Sequence, residues 1–152
     1  MFSRQPSPHR VEGVLAHLRR HHARTYLWAL LAAERGLRPG EITALRADDP
    51  LLTELGGYPF PPSPELLQAL EDSAPDGVIC RHGPSYVSQT FYLQSEHDGL
   101  APLNLRHLRR HFLGNLNQAV LAGEMPADQA AAMARFKPRP LVRAIKTAAP
   151  EQ

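Results

Sequence analysis

A mainly α-helical fold is what this sequence predicts, on three observations. Apolar residues recur at the three-to-four spacing of a helix, from Val11, Val14, Leu15 and Leu18 near the start to Leu105, Leu108, Phe112 and Leu116. Fifteen prolines punctuate the chain into short helical segments instead of forming a low-complexity tract. Residues 50–62 are turn-rich, with Gly56-Gly57 and four prolines, and leave room for at most a short, poor β-hairpin.

The elements follow in order. Residues 8–22 carry Val11, Val14, Leu15 and Leu18 on one stripe, with Arg10, His17, Arg19 and Arg20 outside it. Residues 23–35 make a second, more deeply buried helix around Tyr26, Leu27, Leu30 and Leu31. Gly36 is its natural stop, because glycine accepts the left-handed cap conformation. Pro39 excludes Arg38 from the helical region and opens a third helix to about Arg46, with Ile42 and Leu45 inward. Ser63-Pro64-Glu65 is a helix start, serine at the cap and proline at the first position, leading into Leu66, Leu67 and Leu70. Gly77–Cys80 reads as a short strand or an extended core segment that ends on a buried thiol. Ser85 is the expected cap of a helix bearing Val87, Phe91 and Leu93, ending near Gly99. Asn104 is the expected cap of a long helix to about Leu121, closed by Gly123, and Pro126 starts an alanine-rich helix to Phe136. Residues 141–148 suggest a last short helix with Leu141, Val142 and Ile145 on one side.

With 152 residues, 43% of them hydrophobic, the chain has the size of one domain with a substantial core. Its expected divisions are a tail at 1–7, a domain at 8–138 and a terminal helix or tail at 139–152. One cysteine, Cys80, excludes an internal disulfide. No apolar run approaches membrane-spanning length and the N-terminus has no signal-peptide core, so a cytoplasmic protein without a membrane partner is expected. The net charge of +2 hides a segregation. Residues 1–46 hold eight arginines against three glutamates, a net of +5; residues 47–98 hold Arg81 against nine acids, a net of −8. Residues 99–152 hold eight cations against three acids, again +5, and 15 of the 17 basic residues in the chain are arginine. Basic ends around an acidic middle suit a fold whose terminal segments meet a polyanion together.

Two stretches carry chemistry. In Gly36-Leu37-Arg38-Pro39-Gly40-Glu41, one arginine sits on a short, stiff corner, with Glu41 placed to reach back to the cap amide. Taken alone, that is a helix–helix turn. In Asn104-Leu105-Arg106-His107-Leu108-Arg109-Arg110-His111-Phe112, helical spacing puts His107, Arg110 and His111 on one face. A guanidinium neutralises a phosphate while an imidazole donates or accepts a proton; the competing reading is a solvated basic face.

Together, in this order, the two stretches resemble the catalytic domain of the tyrosine recombinases, the phage integrase family. Gly36 to Glu41 match a corner of the form Gly-Leu-Arg-x-[Gly/Ser]-Glu, and His107, Arg110, His111 and Phe112 match His-x-x-Arg-His followed by phenylalanine. Pro61 to Leu67 is similar to the family's proline-serine-proline-glutamate helix start. The resemblance covers roughly residues 8–136 and implies a compact multi-helix domain with a reduced or absent β-hairpin. It implies that Arg38, His107 and Arg110 grip the scissile DNA phosphate, with His111 and Arg135 as further candidates. Backbone contacts would come from Arg38, Arg106, Arg109, Arg110 and Arg135. The departures are specific. The only lysines are Lys137 and Lys146, so the hairpin lysine is missing, and Arg135 stands where histidine or tryptophan is expected. No tyrosine follows Tyr92, and Phe136 or Ala144 falls at the nucleophile position. A phenyl or methyl group cannot attack a phosphate. The implied activity is DNA binding linked to site-specific recombination or integration, deficient in cleavage.

Two readings compete with it. One is a protein-interaction regulator of an active recombinase, or self-association, through residues 139–152. The other is a helix-turn-helix module with residues 39–46 as recognition helix. No cofactor is expected, and no metal: His17 with His21, or His107 with His111, is a pair without a third ligand.

Overall fold

The computed structural model describes residues 7–49 and 61–134. Among the described residues the chain is mainly helical, with seven helices: α1 (Pro8–His21), α2 (Ala23–Arg35), α3 (Pro39–Ala44), α4 (Pro64–Ser73), α5 (Pro84–Ser95), α6 (Leu105–Leu121) and α7 (Ala127–Ala134). Extended pairing among the described residues is limited to isolated bridges, Arg46 with Val78 and His97 with Leu100. Two compact units make up the chain, Met1–Phe112 and Leu113–Gln152. Residues 50–60, where a reduced hairpin is expected, lie outside the described residues, as do Arg135 and the expected helix within 139–152.

In the first unit α2 is the central element. Ten of its residues are buried, from Thr25 to Ala33 and at Arg35, because its apolar side chains occupy almost every position and not one stripe. It packs against α1, α4 and α5, and α3 packs on α5. Trp28 is 1% exposed, and its indole N–H donates to the Ile79 carbonyl at 3.1 Å, which fastens the extended 77–80 segment to the helix. Ser63 caps α4 by accepting from the Leu66 N–H at 3.0 Å. The same residue donates to Glu34 through its backbone N–H at 3.2 Å and its hydroxyl at 2.5 Å. The start of α4 is thereby tied to the end of α2.

Several boundaries differ from expectation. Gly83, not Ser85, caps α5, and Pro84 takes the first helical position: proline's fixed φ seeds the helix earlier than a serine cap would. The helix ends at Ser95, because Ser95 turns its hydroxyl to the next segment, accepting from the Leu103 N–H at 2.8 Å. Gly99 instead falls in the tight turn where the Leu100 N–H donates to His97. α3 stops at Ala44, since Arg46 and Ala47 leave to pair with Val78 and Gly77. Six residues span about 9 Å, which leaves the helix-turn-helix reading without a recognition helix of useful length. Cys80 is half-buried; Ile79, 1% exposed, takes the core position. Among the described residues of the second unit, Leu116, Ala119, Met125, Met133 and Ala134 are buried.

Candidate functional site

The corner at Gly36–Glu41 is built as its residues require. Gly36 adopts φ +67°, and its N–H donates to the Ala32 carbonyl at 3.1 Å while that of Leu37 donates to Leu31 at 3.3 Å, a Schellman-type closure. Arg38 is extended at φ −89°, ψ 162°, with Pro39 at the first position of α3. The Glu41 carboxylate accepts the Arg38 backbone N–H at 2.8 Å. The backbone of Arg38 is thus fixed from both sides, and its side chain is half-buried.

The histidine-bearing helix is positioned by a reciprocal cap. The Asn104 N–H donates to His107 Nδ1 at 3.0 Å, and the Asn104 side-chain oxygen accepts from the His107 N–H at 3.3 Å. Histidine here plays the part that glutamate plays in a capping box. Because Nδ1 accepts, the ring proton sits on Nε2, which is left as a donor. Upstream, the Ser95–Leu103 bonds anchor the segment that leads into α6.

The two stretches meet. A methyl group added at Gly36 would lie 2.3 Å from Cδ2 and 2.5 Å from Cε2 of Phe112. The phenyl ring therefore rests directly on the corner, two residues from Arg38 and two from Arg110. Only a residue without a side chain permits that approach.

Along the first turns of α6, exposure follows the helix period. Leu105, Leu108, Arg109 and Phe112 are buried, His107, Arg110 and His111 are half-buried, and Arg106 is exposed. Arg109 is 7% exposed, so little of it is presented to a partner as it stands. His107 titrates below its ordinary 6.5, first through burial, then through Arg110, Arg106 and, most weakly, Arg10. Three guanidinium groups from two helices thus act on one imidazole. Among the described residues, the ion pairs are Arg46 with Asp48 and Arg81 with Asp76, so none of these three guanidiniums is matched to a carboxylate. His111 is also lowered by burial, against the opposing pull of Glu12. The arrangement is one of fixed positive charge, a neutral imidazole donor and a partly dry setting, which suits an anion.

Two arginines stand out only in the folded chain. Arg35, 1% exposed, donates from Nη1 to the Glu34 carbonyl at 3.3 Å; nothing in a helix's last turn distinguishes such a residue from a solvated one. Arg10 reads as an outward residue of α1, yet its Nη2 donates to the carbonyl of Ala101. The available signal is that Arg10, Gly13 and His17 form one stripe, and the 97–101 turn lies along it.

The histidines of α1 form a separate cluster. His17 lies with ring centroids 4.9 Å from His97, 5.0 Å from His21 and 5.8 Å from His22. Among the described residues no group of three or more potential ligands is arranged to hold a metal ion. Tyr26 is a core residue, Tyr86 stacks on His82 and Tyr92 is exposed; Tyr58 lies outside the described residues. No described helix is long and apolar enough to cross a membrane. Compared with protein-family models, with curated proteins and with solved structures, the chain matches none.

Proposed function

We propose that this chain is a DNA-binding protein of tyrosine-recombinase type, linked to site-specific recombination or integration, that grips a backbone phosphate without cleaving it. The observation that carries the reading is the contact of Gly36 with Phe112. It brings the Arg38 corner against the helix that bears His107 and Arg110, two stretches some seventy residues apart in the chain. Arg38 and Arg110 supply the guanidinium groups. His107 donates from Nε2, its tautomer held by Asn104. Preorganised donors of this kind stabilise charge on a phosphate. A covalent step would need a nucleophile, and no tyrosine follows Tyr92.

The test is binding to labelled duplex DNA over a series of salt concentrations. Affinity falling linearly with log salt, and weakened by both Arg38→Ala and Arg110→Ala, is the expected result. Absence of binding, or binding indifferent to salt, overturns the DNA reading. A covalent protein–DNA adduct on a nicked suicide substrate overturns the non-cleaving part.

A further inference from the structure

The first helix brings a cation to the same place. Arg10 lies in the first turn of α1, and its Nη2 bond to the Ala101 carbonyl holds the guanidinium beside the segment that enters α6. Its Nε is buried and has no hydrogen-bond partner. A buried, charged donor without an acceptor is costly to leave so, and an anion is the acceptor that also answers its charge. Arg10 is near enough to His107 to oppose its protonation, together with Arg106 and Arg110. The carboxylate of Glu12, two residues on, acts instead on His111.

We propose that Arg10 is a further phosphate-contacting residue of this site, so that its ligand is a nucleic-acid backbone strand lying between the N-terminal turn of α1 and the first turns of α6. The inference rests on the reading of that helix as a phosphate site. A lone phosphate needs one or two guanidiniums; cations on two helices match an anion of repeated charge.

The experiment compares wild type, Arg10→Gln, Arg10→Lys, Arg110→Gln and, as a control elsewhere on the surface, Arg24→Gln. Each is titrated with labelled duplex DNA at several salt concentrations. Loss of one phosphate contact lowers the slope of log affinity against log salt by about 0.9. The expected result is that loss for Arg10→Gln and for Arg110→Gln, with the wild-type slope kept by Arg10→Lys and Arg24→Gln. A reduced slope for Arg110→Gln with an unchanged one for Arg10→Gln overturns the proposal and leaves the site standing. Equal reductions for Arg10→Gln and Arg10→Lys overturn it in favour of a purely structural anchor to Ala101. No salt-dependent binding by the wild type overturns both. A readout without substitutions is phenylglyoxal modification of the wild-type protein, mapped by mass spectrometry. DNA that protects Arg10 as well as Arg110 supports the proposal, and Arg10 left unprotected overturns it.

Discussion

Gly36 does two things that no other residue does together: it turns the chain through the left-handed region and it leaves room for the Phe112 ring. Gly36→Ala meets both objections, a strained φ and a methyl driven into a ring on a buried helix face. The expected cost is about 2–4 kcal/mol, read as a lower urea midpoint at unchanged slope. If DNA binding depends on the corner touching α6, affinity falls in the same variant even where it remains folded. Ser63 gives a second case. Its hydroxyl caps α4 and also bonds Glu34 of α2, so Ser63→Ala loses more than a cap alone, roughly 1–2 kcal/mol by chemical denaturation. Both glycine and serine were recognisable from the local sequence as a stop and a start. Their second partners, Phe112 and Glu34, were not, since those lie 76 and 29 residues away.

At the scale of elements, α1 is tied to the 97–101 turn by Arg10, Gly13 and the stacked rings of His17 and His97. Burial lowers the His17 pKa from 6.5, and His97, His21 and His22 lower it further, against Asp98. His107 and His111 are lowered as well. A histidine whose folded pKa lies below its unfolded value binds its proton more readily when unfolded. Its stabilising contribution is therefore complete above pH 6.5 and is lost as pH falls through the depressed folded value. The urea midpoint is accordingly expected to be lower at pH 5.5 than at pH 7.5. His97→Gln, which removes one repelling imidazole while keeping a polar side chain, is expected to lessen the difference. An unchanged difference in that variant removes His97 as a cause and leaves the pH effect to the burial of His17, His107 and His111. The sequence marked His17 and His21 as a helical pair; only the turn after α5 supplies His97.

At the scale of the whole molecule, the charge segregation along the chain becomes meaningful through the fold. Arg10 from the first basic segment and Arg106 and Arg110 from the last act on one imidazole, His107, and the Gly36–Phe112 approach brings the corner that carries Arg38 against the same helix. The acidic middle supplies α4 and the 77–80 segment, both fastened to α2. Salt-dependent binding to duplex DNA with little preference among sequences is expected, because phosphate contacts carry no base information. Competition by unlabelled, unrelated duplexes checks this. A strong preference for one sequence would require base-reading residues in addition to these phosphate contacts.

By itself the sequence determined the helical class, most helix starts, the glycine stop and the residues of both basic stretches. Those are local properties, set by proline geometry, caps and the period of apolar side chains, and they need no knowledge of distant partners. It also determined that no tyrosine follows Tyr92. The tertiary structure alone decided that Phe112 sits on Gly36, that Arg10 bonds Ala101 while Arg109 is buried, and that α3 ends early to let Arg46 pair with Val78. Each of these turns on which buried surface a helix finds across a long stretch of chain, and that is a matter of packing, which local spacing cannot encode.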